Sequence, residues 1–165
     1  MEQLATARFQ LEPLTASHPT KLFEALSATA NYRYIARNPP TDVTVLATRY
    51  RQLEARGSAD GSETWLNWAI YAPNEDRFVG KVQATVYRDR LEASLAYLLA
   101  PSHWGIGCAN EVCIAVIEHL QRRWGVSTIE ATTDTRNERR IRLLERLGFQ
   151  RFETRDSDDT ISCEA

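Results

Sequence analysis

Pro101-Ser102-His103-Trp104-Gly105-Ile106-Gly107-Cys108-Ala109-Asn110-Glu111 is the stretch on which the fold turns. It joins an apolar run, residues 93–100, to the most regular helical pattern in the chain, residues 108–124. In the run Leu95, Tyr97 and Leu99 alternate with Ala96 and Leu98, so both faces are apolar. A strand buried on both faces belongs in the middle of a sheet. In the helical pattern Ala109, Val112, Cys113, Val116, Ile117, Leu120 and Trp124 share one arc of roughly 140°, with Glu111, Glu118 and Arg122 opposite. Gly125 follows as a C-cap. Between strand and helix stand two glycines one residue apart. A helix N-terminus leaves N–H groups unpaired and carries about half a positive charge. Glycines let an anion approach that backbone, so the arrangement suits a phosphate or pyrophosphate. It lacks the G-K-[ST] of a P-loop and the third glycine of a dinucleotide fingerprint.

Upstream, Ala7, Phe9 and Leu11 alternate with Arg8, Gln10 and Glu12, which predicts a half-buried strand. Residues 16–27 and 43–56 read as helices, the second opening after Thr41-Asp42 as a cap. A turn cluster at 57–62 precedes strands at 64–71 and 77–87, with hairpin turns at Asn74-Glu75-Asp76 and Arg88-Asp89-Arg90. Downstream come a strand at 128–133, a helix at 137–147 stopped by Gly148, and closing strands at 149–154 and 160–163. Hairpins leading into a strand–helix–strand crossover make a mixed α/β sheet with helices on both faces. One domain over residues 1–165 accommodates all of it.

Composition narrows the function. The chain is 43% hydrophobic and 25% charged, and 20 Lys+Arg against 22 Asp+Glu leave a net charge of −2. That balance opposes whole-domain binding to nucleic acid or an anionic membrane. Only Lys21 and Lys81 are lysines among the basic residues, so phosphate or carboxylate recognition would fall mainly to arginine. The N-terminal ten residues show no signal peptide. Cys108, Cys113 and Cys163 form an odd set without metal-ligand spacing. We expect no metal, and reduced thiols in a cytoplasmic protein. His18 and His119 fall on helix edges and are expected at the surface.

Trp104-Gly105-Ile106-Gly107-Cys108-Ala109-Asn110-Glu111-Val112, together with Asn137, Leu143 or Leu144, Gly148 and Phe149, resembles the GCN5-related N-acetyltransferase (GNAT) superfamily. Within it the match is to the RimJ/RimL branch, whose motifs read W-G-x-G-x-A-x-E-A and N-x-x-S-x-x-L-x-x-x-G-F. Arg140 stands where that branch has Ser. The resemblance covers essentially the whole chain and implies a GNAT fold with a mostly antiparallel sheet of about seven strands. It also implies transfer of an acetyl group from acetyl-CoA to an amine by direct attack in a ternary complex. The protein would be a monomer or a homodimer, with no nucleic acid or membrane partner.

By the same resemblance, the CoA pyrophosphate would sit on N–H groups of His103, Trp104, Gly105, Ile106, Gly107, Cys108 and Ala109. The pantetheine arm would lie along residues 97–100, with an N–H near Leu98 or Leu99 facing the thioester oxygen, where negative charge develops. Asn137 matches a position that contacts the cofactor arm. Arg140 falls on the apolar face of its helix and must reach out toward a polar outlet, either CoA phosphate or an acidic acceptor group. Glu92 is the first choice for general base, ahead of Glu130 and Asp134. An α-amine with pKa near 8 is roughly a tenth neutral at pH 7, so a water-mediated base suffices for it. Arg33, Tyr34 and Arg37 lie where the superfamily shapes its acceptor site. Two further readings are a non-catalytic acyl-CoA sensor and an amino-antibiotic acetyltransferase, the latter served by an acidic groove around Glu24, Glu54 or Glu63.

Overall fold

Asp42 starts one of the helices as the cap residues predict. Its carboxylate accepts the N–H groups of Thr44 and Val45, opening α2 at Val43–Leu53. The computed structural model describes residues 1–155 and 160–164, with side chains through Arg151. The other helices are α1 (Pro19–Ser27), α3 (Cys108–Trp124) and α4 (Glu138–Arg146). The bounds of α3 match the apolar period, and Gly125 closes it at φ 65° with its N–H on the Leu120 carbonyl.

Among the described residues the sheet has eight strands: β1 (Leu4–Ala5), β2 (Gln10–Pro13), β3 (Glu63–Ala72), β4 (Arg77–Tyr87), β5 (Glu92–Leu99), β6 (Thr128–Asp134), β7 (Gln150–Arg155) and β8 (Thr160–Glu164). Their order is β1-β2-β3-β4-β5-β6-β8-β7. Every neighbouring pair is antiparallel except β5–β6, which α3 connects as the expected crossover. The alternation at residues 7–12, expected as one strand, is strand only from Gln10 onward, and residues 6–9 connect β2 to β1 as a hairpin. Thr6 and Arg8 break the strand because the Glu111 carboxylate on α3 captures the Thr6 hydroxyl (2.6 Å) and the Arg8 N–H (2.8 Å).

Two cores lie on opposite faces of the sheet. The larger joins α3 and α4 to the strands through Val112, Val116, Leu120, Ile141 and Leu144. Each of these buried side chains contributes about 1.5–3 kcal/mol. The smaller seats α1 and α2 through Leu22, Leu26, Leu46 and Tyr50. His18 and His119 are buried rather than at the surface, because each packs edge-on to an aromatic ring, Phe78 and Trp68 respectively. Burial lowers the His119 pKa. Among the described residues no helix is long and apolar enough to cross a membrane, and no His/Cys/Asp/Glu group could hold a metal.

Candidate active site

β5 and β6 pair over three positions only, Glu92↔Thr128 to Ser94↔Glu130. Beyond Ser94, β5 continues to Leu99 on β4 alone while β6 continues on β8. The strands therefore part, and one edge of β5 is left without a ladder partner. A cleft of about 1130 Å³ opens there, reaching from the α1–α2 connection across β4 and β5 to the first turn of α4.

Strand alternation decides which N–H groups face this opening. Ala100 donates to the Val79 carbonyl on β4 at 2.8 Å, so Leu98 also turns toward β4 and Leu99 turns to the open side. The Trp104 indole, donating to the Leu99 carbonyl at 3.1 Å, occupies that same side. The oxyanion position expected at Leu98 or Leu99 thus narrows to Leu99. Gly80 lies opposite Leu99 in the register. A Cβ there would stand 2.3 Å from the Leu98 carbonyl oxygen and 2.9 Å from the Leu99 Cα. Sequence reading passed over Gly80, although an isolated glycine inside a strand signals close backbone approach.

The glycine loop follows. His103 and Trp104 do not offer their N–H groups to a ligand, because a 3-10 turn spends them on Ala100 and Pro101. The His103 ring is buried, with Nε2 2.9 Å from the Glu75 carboxylate. The N–H groups of Gly105, Ile106, Gly107, Cys108 and Ala109 find no acceptor among the described residues. Gly105 and Gly107 take φ of +78° and +83°, the left-handed region. Arg8 lies over the loop, donating to the Ile106 carbonyl at 3.0 Å and held by Glu111 at 2.7 Å. Its place was invisible in the sequence, a hundred residues upstream. Gly107→Ala puts a methyl 3.4 Å from the Arg8 guanidinium at a strained φ. We expect about 1–2 kcal/mol lost, and a roughly tenfold higher KM for acetyl-CoA in steady-state assays.

Other sequence-predicted residues divide. Asn137 caps α4, accepting the Arg140 N–H at 3.2 Å, and its amide NH2 has no partner among the described residues. Arg140 is half-buried, its guanidinium 4.7 Å from the Tyr97 ring centroid. Arg139 covers Trp104 at 3.7 Å. Cys108 is fully buried and burial pushes its thiol up to about 12, so it is no nucleophile. The side chain of Cys163 lies outside the described residues.

Glu92 is not brought to the cleft. It stands at the other end of β5, roughly 20 Å of strand from Leu99, beside Arg90. Glu130 sits in the paired part of β6, also away from the cleft. Asp134 lines the cleft, but the Arg136 guanidinium binds it at 2.7 Å and holds its carboxyl below the usual range. Among the described residues no acidic groove forms around Glu24, Glu54 or Glu63, none of which lines the cleft.

Four of the five buried polar atoms without a partner among the described residues belong to cleft residues: Asn31 Oδ1, the Tyr50 hydroxyl, Thr133 Oγ1 and Arg140 Nε. Buried polar groups are normally paired, so orphans gathered in one cleft fit a site completed by ligand. Lys81 adds a cost of the same kind. Burial, with Arg49 and Arg37 nearby, brings its ammonium down to about 8. Its charge therefore opposes folding fully below about pH 8, and the penalty disappears above 10.5, where lysine is neutral folded or unfolded. Lys81→Met should stabilise the protein at pH 7 by about 1–3 kcal/mol. The gain should vanish by pH 11 in denaturant titrations.

The sheet is thus open between its two parallel strands, with unspent N–H groups on the loop beyond. The acetyltransferase (GNAT) domain family matches residues 8–150, and the chain belongs to that family, whose members transfer acetyl groups from acetyl-CoA. It is 25% identical over 155 residues to the uncharacterized N-acetyltransferase p20 of Bacillus licheniformis, covering 92% of this chain and 84% of that one. With the uncharacterized N-acetyltransferase YoaA of Bacillus subtilis it shares 32% identity over 88 residues, 52% of this chain and about half (49%) of that relative's length. In fold it is similar to ribosomal-protein-S5-alanine acetyltransferase from Vibrio fischeri (TM-score 0.83, 13% identity, 100% and 96% coverage). It is also similar to spermidine N-acetyltransferase from Vibrio cholerae, solved with CoA and spermine (TM-score 0.78, 15% identity, 96% and 95% coverage).

Proposed function

We propose that the protein is an N-acetyltransferase of RimJ/RimL type, moving the acetyl group of acetyl-CoA to a primary amine by direct attack in a ternary complex. The acceptor is a protein N-terminus or a small-molecule amine. The observation that carries this reading is the parting of β5 from β6 beside the Gly105–Gly107 loop. The donor supplies an activated thioester. The loop N–H groups from Gly105 to Ala109 hold an anionic diphosphate, and the open edge of β5 binds an extended chain as a strand would. The Leu99 N–H faces the cleft where an oxyanion gains from a fixed donor.

Among the described residues the cleft holds no carboxylate free of an arginine. An acceptor of modest pKa, an α-amine rather than a lysine side chain, loses its proton to water without one. Arg140 reaches toward the cofactor arm with its unpartnered Nε. Arg140→Ala should raise the KM for acetyl-CoA about fivefold or more, since a charged contact is lost.

The test is thiol release from acetyl-CoA across N-terminal peptides, amino acids, polyamines and aminoglycosides, alongside equilibrium binding of acetyl-CoA. Turnover with an α-amine supports the reading. Tight binding without turnover of any amine would make the protein an acyl-CoA sensor instead.

A further inference from the structure

The part of the cleft built by α2, the α1–α2 connection and β4 is one-sided in charge. Arg33, Arg37, Arg49 and Lys81 line it. The cleft's acidic residue, Asp134, belongs to β6 and is held by Arg136. Arg37 and Arg49 are exposed and pair with no carboxylate among the described residues. Lys81 is half-buried, and its recorded partner is the neutral Gln83 amide at 3.0 Å. Both arginines lie close enough to Lys81 to oppose its charge. Three cations that repel one another, gathered without a counterion among the described residues, fit a site whose anion arrives with a ligand.

That anion is not the donor's diphosphate. The unspent N–H groups stand at the start of α3, on the sheet face carrying the larger core, whereas α2 packs on the opposite face. Lys81 is also placed for the reaction. It lies opposite Leu98 in the β4–β5 register, one residue from the Leu99 N–H. The Tyr50 hydroxyl, in a side chain 1% exposed, lines the same part of the cleft without a partner. It supplies a neutral donor beside the cations.

Resting on the acetyltransferase reading, we propose that the acceptor is an anionic amine. Its carboxylate or phosphate, a few bonds from the reacting nitrogen, is held by Arg49, Arg37 and Lys81. The subsite selects against polycations, which would meet these three charges with no carboxylate to receive them.

Matched pairs decide it: C-terminally amidated Ser-Asp against amidated Ser-Asn dipeptides for the carboxylate, phosphoethanolamine against ethanolamine for the phosphate, and spermidine as the polycation. Each is followed by kcat/KM for thiol release and by calorimetric Kd on the CoA-saturated protein. We expect the acidic member of at least one pair to be favoured about tenfold or more. Arg49→Ala and Lys81→Met should each remove most of that preference and leave the Kd for acetyl-CoA unchanged. Arg51→Ala, which removes a charge from α2 outside the cleft, should keep the preference. Equal or better binding of the neutral members or of spermidine overturns the proposal, and so does loss of acetyl-CoA affinity in place of the preference. If the acidic members bind tenfold tighter but no amine turns over, the anion subsite stands and the transfer reading fails.

Discussion

Gly80→Val should cost about 3 kcal/mol and leave little acetyl transfer. A Cβ at this position meets backbone, the Leu98 carbonyl oxygen at 2.3 Å and the Leu99 Cα at 2.9 Å, and backbone cannot rotate away as a side chain can. Relief requires β4 and β5 to separate where β5 is paired on one edge only. The lost ladder bonds and the overpacking act in the same direction. The Leu99 N–H would move with its strand, so kcat should fall by about a hundredfold or more even in the folded fraction. Thermal unfolding should show Tm lower by about 6–12 °C. An unchanged Tm would mean that the strands are not in contact at Gly80.

Glu111→Ala should cost about 2 kcal/mol and loosen the phosphate loop. The carboxylate accepts from the Thr6 hydroxyl, the Arg8 N–H and the Arg8 guanidinium at 2.6–2.8 Å. It thereby fixes the N-terminal hairpin and Arg8 to the first turn of α3. Truncation strands those donors, and charge-assisted bonds are the expensive ones to lose. Burial works against the charge, yet the bonds from Thr6 and Arg8 outweigh it and hold the pKa below the ordinary 4.5. The contribution is fully present above 4.5 and is lost as pH falls through the depressed value. Wild type and variant should therefore converge in acid denaturation, and a constant gap down to pH 2 would contradict this account. With Arg8 released, the KM for acetyl-CoA should rise as well.

Local features were legible because their causes are local. The apolar period of α3, its glycine cap, the Asp42 cap and the hairpin turns each follow from residues within a few positions of one another. The Gly105–Gly107 loop was legible for the same reason, since its glycines and the helix start that follows are neighbours in sequence. Its reach was overestimated at His103 and Trp104, where a single turn of 3-10 helix takes the N–H groups. Glu92 was a misplaced choice. A strand's start and end look adjacent in sequence, yet a strand eight residues long carries its first side chain roughly 20 Å from its last.

What the sequence determined by itself was the order of elements, the central place of β5 and the glycine loop before α3, since periodicity and backbone chemistry act at short range. The tertiary structure decided the rest: where β5 leaves β6, that Arg8 and Glu111 brace the loop, and that Arg37, Arg49 and Lys81 converge. These are meetings of segments that lie far apart in sequence, up to 103 residues for Arg8 and Glu111. They depend on how two sheet faces and two cores assemble, and no local pattern encodes a distance between side chains that chain folding brings together.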